Sequence, residues 1–338
     1  MSPRPWALPA AAIGIALVGR EVLRRVRRAD LRGQVVLITG SSRGLGLAMA
    51  REFARKGCRI VLCARDTQEL ERARRDVERF GAEVEAVECD VTDRDQVARL
   101  VEQATARFGH VDVLVNNAGL ISVGPLATQT LEDFERAMGL MFWSGLYTTY
   151  AVLPQMLARH SGRIVNITSI GGKLSVPHLL AYSAAKFAAV GLSEGLRAEL
   201  GADGIQVTTV VPGLMRTGSH LNAEFKGQNT REFLWFSLGA SLPFTSISAE
   251  AAARQIVAAV ARGDAEVILS WQAQLAARVH GLFPGLTSDV LGLVNRVLPG
   301  PAGIGSERVK GHASRTPITD SFLEVLGQNA ARNLNQLG

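Results

Sequence analysis

Cysteine is nearly absent from this chain: 338 residues contain only Cys58, Cys63 and Cys89. The number is odd and the spacing matches no metal-binding pair. Neither a disulfide framework nor a thiolate metal site is expected, and a reducing, cytoplasmic setting suits the chain. The six histidines are scattered, none paired at ligand spacing, so no metal site is expected. Internal repeats and low-complexity tracts are also missing. The apolar N-terminal stretch WALPAAAIGIALVG (6–19) has 14 uncharged residues, short of the roughly 20 that span a bilayer.

Net positive charge is scarce outside the N-terminus. Residues 1–33 carry seven arginines against Glu21 and Asp30, which accounts for five of the six net positive charges. A nucleic-acid reader would carry a basic face on its folded body, so nucleic acid is not an expected partner. The arginines follow the apolar stretch instead of preceding it, with no convincing cleavage site, which argues against a cleaved signal peptide. Residues 6–28 suit a shallow anchor on the cytoplasmic face of a membrane, or a helix packed on the protein itself or on a second subunit.

The rest of the chain is rich in apolar residues (47% overall), enough for a large core. Seven short apolar runs recur: 34–39, 59–64, 83–89, 111–116, 162–168, 205–211 and 265–270. Helix-length segments separate them, among them 67–80, 93–108, a long stretch near 130–160, and 180–200. Buried-type strands alternating with helices predict an α/β fold: a doubly wound, Rossmann-type parallel sheet of about seven strands with helices on both faces. The division expected is a segment 1–28, a catalytic domain 29–270 and a helical extension 271–338. In that extension Leu275, Val279, Leu282, Leu286, Val290, Leu293 and Val297 form an amphipathic stripe, interrupted at Pro284, for covering the pocket, a subunit contact or a membrane surface, with packing on the catalytic domain as the default. Residues 318–338 read as a last surface helix.

The first strand runs into TGSSRGLG (39–46). Glycines at 40, 44 and 46 let the backbone approach a pyrophosphate at a helix N-terminus, where open N–H groups and the dipole favour an anion. Further on stand Asn116-Asn117-Ala118-Gly119, Ser169 thirteen places before Tyr182, Lys186 four after it, and PGLMRT at 212–217. These four motifs, in this order and each at the C-terminal end of a strand, resemble the short-chain dehydrogenases/reductases over about residues 33–270. That is the ligand-binding edge of an open α/β sheet.

Tyr182 and Lys186, at i and i+4, share a helical face. A nearby lysine cation and the positive nicotinamide would lower the tyrosine's ordinary value of about 10, allowing proton exchange with an alcohol or carbonyl. The resemblance implies that Tyr182 is the general acid/base, that Lys186 also binds the nicotinamide ribose, and that Ser169 polarises the carbonyl. It further implies that Gly40, Ser42, Arg43, Gly44, Leu45 and Gly46 hold the pyrophosphate side. Asp90 and Val91 would bracket the adenine, Asn116, Ala118 and Gly119 would lie beside the cofactor, and Pro212, Gly213 and Thr217 would reach the nicotinamide. Ala64 stands where an NAD-preferring site would place a carboxylate, and Arg43 and Arg65 suit a 2′-phosphate, so NADP(H) is expected over NAD(H). A homo-oligomer is expected as well.

One position departs from the family. The asparagine that usually holds a proton-relay water is replaced by Met141, and no asparagine occurs in 118–165. Methionine cannot donate a hydrogen bond. Ser144, one turn later, is the substitute considered. Residues 214–247 read as a lid whose Leu221, Phe225, Phe233, Leu234, Trp235 and Phe236 either close over an apolar substrate or anchor the lid itself. His178 and Leu179 are expected on the pocket wall. The function expected is interconversion of a lipophilic carbonyl and its secondary alcohol. The alternatives are a non-catalytic NADP-binding scaffold and, less favoured because the glycines are spaced TGxxxGxG, a sugar-nucleotide epimerase.

Overall fold

The computed structural model of the chain describes residues 19, 21, 22, 25, 27–241, 246–315 and 330–336. Most of the apolar stretch 6–19 lies outside the described residues. Seven strands form one parallel sheet: β1 (Val35–Thr39), β2 (Arg59–Ala64), β3 (Val84–Glu88), β4 (Val113–Asn116), β5 (Gly162–Ile167), β6 (Ile205–Pro212) and β7 (Glu266–Leu269). Their spatial order is β7-β6-β5-β4-β1-β2-β3. The order reverses between β1 and β4, which opens a crevice at the C-terminal strand ends.

The connecting helices are α1 (Gly44–Arg55), α2 (Thr67–Glu78), α3 (Arg94–Phe108), α4 (Leu131–Met138), α5 (Ser144–Arg159), α6 (Leu180–Leu200), α7 (Asn229–Ser241) and α8 (Ala249–Arg262). Alternation along β1 divides the core. Val36 and Ile38 join Met49, Phe53, Leu70 and Ile256 on one face, whereas Val35 and Leu37 join Leu100, Val152 and Met156 on the other. With both faces covered, the central strands β1, β2 and β4 are mostly apolar, whereas the edge strand β3 mixes Val and Ala with Glu.

Three expectations change. The helical region 130–160 is not continuous, because Gly139–Trp143 forms a π-helical turn between α4 and α5. The extra residue widens the ladder there, and the Ser144 hydroxyl donates to Leu140 O (2.6 Å). The stripe in 275–297 falls on α9 (Trp271–Leu282) and α10 (Pro284–Asn295), but only Ala273 is buried in these two helices. Leu282, Leu286, Leu293 and Val297 are exposed, so the stripe does not face the catalytic domain. Of the proposed last surface helix, only 330–336 are described, and Ala331 and Leu334 there are fully buried.

Candidate active site

The glycine turn between β1 and α1 is built for close approach. Gly40 and Gly44 have φ of 62° and 59°, in the left-handed region that glycine enters without strain. A Cβ at Gly46 would sit 2.3 Å from Gly40 O. Arg43 gives α1 no side-chain cap, and first-turn amides have no intrahelical partner, which suits an anion. Ser41 ties the turn to β2 by accepting from the Cys63 N–H (2.8 Å). Asn117 ties it to β4, its Nδ2 donating to Thr39 O (2.9 Å) and Gly40 O (3.0 Å).

Beyond the turn, a groove of about 1360 Å³ runs along the C-terminal strand ends. It is lined by Gly40, Ser42, Arg43, Gly44, Leu45, Gly46, Arg65, Asp90, Val91, Ala118, Gly119, Ser169, Tyr182, Lys186, Pro212, Gly213 and Thr217. Asn116 is not among the lining residues. As the last strand residue of β4 it points into the layer between sheet and helix, where its Nδ2 donates to Asn166 Oδ1 (2.9 Å) and its Oδ1 accepts from Thr148 (2.6 Å). The next residue, Asn117, lines the groove instead. The doublet in the sequence contained both, and the turn at the strand end separates their roles.

Both arginines expected near the adenosine ribose are held by carboxylates. Arg43 pairs with Glu69 (3.0 Å), which also accepts from the Ser42 hydroxyl (3.1 Å). Arg65 lies 3.7 Å from Asp90. Glu69 went unnoticed in the sequence, although it sits three residues past Asp66, which caps α2 by accepting from the Glu69 N–H (2.8 Å).

The structure brings Ser169, Tyr182 and Lys186 onto one groove wall. Ser169 ends the β5 segment in an extended conformation and accepts from the Gly171 N–H (3.0 Å), leaving its own proton to donate. Lys186 donates to Ile167 O (2.8 Å). Burial lowers the Lys186 ammonium to about 8. Tyr182 differs from the expectation: desolvation raises it above its ordinary value, while a hydrogen bond with Ser169 acts downward. Lys186 Nζ lies 5.9 Å from the centre of the Tyr182 ring.

A family model described as short chain dehydrogenase matches residues 34–226. The chain belongs to this family. It is 36% identical to an Anopheles gambiae dehydrogenase/reductase SDR family protein 7-like over 277 residues, covering 80% of this chain and 86% of the relative. A zebrafish (Danio rerio) dehydrogenase/reductase SDR family member 7B is 34% identical over 64% of this chain and 72% of its own. Among solved structures, a short-chain dehydrogenase from Streptomyces avermitilis superposes with a TM-score of 0.67 at 32% identity, covering 78% of this chain and 98% of that one. The L-sorbose reductase of Gluconobacter frateurii, complexed with NADPH and L-sorbose, gives 0.64 at 27% identity over 72% and 97%. As a short-chain dehydrogenase, the chain is an NAD(P)-dependent oxidoreductase. Its glycine cradle, with no side-chain cap on α1, fits a dinucleotide.

In this short-chain dehydrogenase Met141 is buried in the π-helical turn. A Cβ at Gly119 would meet both Met141 Sδ and Lys186 Nζ at 3.8 Å, so both side chains border Gly119. Behind it lies a cavity of about 20 Å³ lined by Thr39, Asn116, Ser144, Asn166 and Ile167 among others. One water needs roughly 10–15 Å³ by this measure.

The lid aromatics divide. Leu221, Phe225, Phe233 and Phe236 are buried in one cluster with Val123 and Ala331, and Trp235 packs against it, which supports the anchoring alternative. Of these, Trp235 and Phe236 also line the groove. Leu179 lines it too, but His178 does not: it turns back, in a left-handed conformation, to pair with Glu232 (2.8 Å), which also accepts from Trp235 Nε1 (2.6 Å).

Proposed function

We propose that this short-chain dehydrogenase is NADP(H)-dependent and interconverts an apolar carbonyl compound with its secondary alcohol. The observation that carries the reading is the convergence of Ser169, Tyr182 and Lys186 on the wall of a groove with a glycine cradle at one end. Away from the cradle the lining combines Ile121, Leu174, Val176, Leu179, Trp235 and Phe236 with the charged Glu132, Glu135, Arg136, Glu224 and Lys310. When bound, the nicotinamide supplies or accepts the hydride. In the reducing direction, Tyr182 gives its phenolic proton to the carbonyl oxygen as the carbon gains the hydride. Lys186 stabilises the phenolate left behind. The Ser169 hydroxyl donates to the same oxygen and orients it. With its ammonium at about 8, Lys186 can hold or release a proton near neutral pH and help return one to Tyr182.

The cofactor preference rests on Ala64, Arg43 and Arg65. The end of β2 offers no carboxylate to the ribose hydroxyls, and a 2′-phosphate would compete with Glu69 and Asp90 for two guanidinium groups. The relative complexed with NADPH supports the same choice. Association with a membrane surface through residues 6–28, and a homo-oligomeric state, belong to this reading; no helix among the described residues is long and apolar enough to cross a membrane. The test is NADPH oxidation with a panel of apolar ketones, alongside direct NADPH binding. Turnover that is abolished by Tyr182→Phe supports the proposal. NADPH binding without turnover of any ketone would favour the scaffold alternative.

A further inference from the structure

The described C-terminal residues, 330–336, join the two walls of the groove. On the nucleotide wall, Leu334 O accepts from the Gly44 N–H (2.9 Å), the first amide of α1. Asn335 Nδ2 donates to Ser42 O (2.9 Å) and Glu69 O (3.0 Å), and Asn335 Oδ1 accepts from Arg72 Nε (2.9 Å). Asn333 O accepts from the Arg51 guanidinium (2.6 Å). On the lid wall, Asn222 Nδ2 donates to Gln336 Oε1 (2.6 Å) and to the Gln336 carbonyl (3.2 Å). A Cβ at Gly218 would lie 2.7 Å from the Ala331 Cβ, so Ala331 rests directly on the turn that follows Thr217.

Apolar contacts repeat this division. Leu334 belongs to the core cluster of α1 and α2, whereas Ala331 belongs to the separate lid cluster of Phe225 and Phe233. Two residues of one short segment, Ala331 and Leu334, therefore link two cores. Asn335, which follows them, has φ of 56°, a left-handed conformation that asparagine tolerates better than most side chains. Gln336 lines the groove, and a methyl group at Gly44 would lie 2.8 Å from its Nε2. The amide thus stands at the start of α1, where the cradle suits a pyrophosphate.

We propose that residues 330–336 are a latch across the cofactor groove that slows release of the bound dinucleotide, with Gln336 Nε2 as an added neutral donor to its pyrophosphate. The proposal rests on the reading of the groove as a dinucleotide site. A latch fits better than a plug, because Arg43, Leu45, Gly46 and Thr217 all line the groove with the segment in place. The segment is also tied at both ends of the groove, at Gly44 and at Gly218 next to Thr217, instead of being packed along its floor.

The experiment measures NADPH release by stopped-flow fluorescence, with a chase of excess NADP⁺, for four proteins. These are the full chain, a truncation after residue 329, Gln336→Ala, and Asn335→Gly, which keeps the left-handed backbone but removes the side-chain bonds. Loss of several hydrogen bonds predicts release about tenfold faster for the truncation and a few-fold faster for each single variant. The single variants carry the test should the truncation fail to fold. Release within about twofold of wild type in all folded variants would reduce the segment to a structural brace and overturn the latch. Tighter NADPH binding after truncation would make it a plug and overturn it equally. A full chain that binds neither NADPH nor NADH would overturn the groove reading itself, an outcome separate from both.

Discussion

The region built on β1–β5 and the region that follows β6 are held in place by different physics. In the first, the glycine turn, Asn117 and Ser169 all sit at the ends of strands whose neighbours are fixed by backbone pairing and apolar cores on both faces. In the second, position depends on side-chain pairs. Lys226 is buried against Asp133, Arg308 bonds the same carboxylate (3.0 Å), Glu224 takes both Arg136 (3.1 Å) and Lys310 (3.0 Å), and Glu232 holds His178 and Trp235. Those pairs join short strands at 122–123, 224–225 and 309–310, which lie far apart in the chain. The chemistry belongs to the first region, and the shape and retention of what binds belong to the second.

The largest effect expected tests the first region alone. Tyr182→Phe removes a proton donor without disturbing the sheet, so turnover of a proven ketone should fall by roughly 100- to 10,000-fold. NADPH affinity and melting temperature should stay near wild type. A variant that keeps the wild-type rate would detach the chemistry from this wall.

Next is the double variant Arg43→Ala, Arg65→Asp, which should weaken NADP(H) binding by about ten- to a hundredfold and NAD(H) binding far less. Glu69→Gln sharpens the point. It frees Arg43 of its carboxylate partner, so NADPH should bind a few times more tightly. Equal changes for both cofactors, measured by fluorescence titration, would remove the 2′-phosphate contact.

The same contrast explains what could be read before the fold was known. Most of the strands follow from apolar runs, because a buried parallel strand is apolar on both faces, and the edge strand β3 follows from its mix of Val and Ala with Glu. The site residues at strand ends follow from the same runs plus the glycines. Asn116 is the exception, since the turn that sends Asn117 into the groove and leaves 116 inside the layer depends on one residue of register. The lid was legible only as a long mixed segment. Which of Phe225, Phe233 and Phe236 faces the ligand is decided by distant partners such as Val123 and Ala331. The amphipathic stripe of 275–297 marked helices correctly but not their surroundings, because periodicity shows which residues share a face and not what that face meets. Asn335 and Gln336 carry no local signal at all.

A pH experiment probes the second region. His220 lies under the lid beside Phe233 (ring centres 5.9 Å apart), and burial, followed by the Arg315 charge, lowers it to about 4. The unfolded chain, with the ordinary value of 6.5, then binds more protons between pH 6.5 and 4. Stability therefore falls as pH drops through that window, by a few kcal/mol on the order expected for a shift of this kind. Thermal melts of wild type and His220→Gln across the window should converge at low pH. Parallel curves would mean that His220 is solvated in the folded protein.

The smallest effect expected is at Met141, which packs with Ala181, Ala185 and Tyr182. It stands in the place the family usually gives to a polar side chain, and two accounts make opposite demands. If the thioether blocks proton return, Met141→Asn should raise kcat. If the cavity behind it holds a water, the path already exists, because Ile167 borders that cavity and its carbonyl also accepts from Lys186. Asparagine would then gain nothing, and an amide left without a partner would cost about 1–3 kcal/mol of stability. We expect the second outcome, a kcat within about threefold of wild type with a lower melting temperature. A gain above about tenfold, or some 1.4 kcal/mol of barrier, would instead show that the methionine limits turnover. Ser144→Ala separates the path's components. Its hydroxyl proton is committed to Leu140 O, so Ser144 can serve a cavity water only as an acceptor. An unchanged kcat in Ser144→Ala would leave Asn116, Asn166 and Thr39 as the polar walls that hold the water.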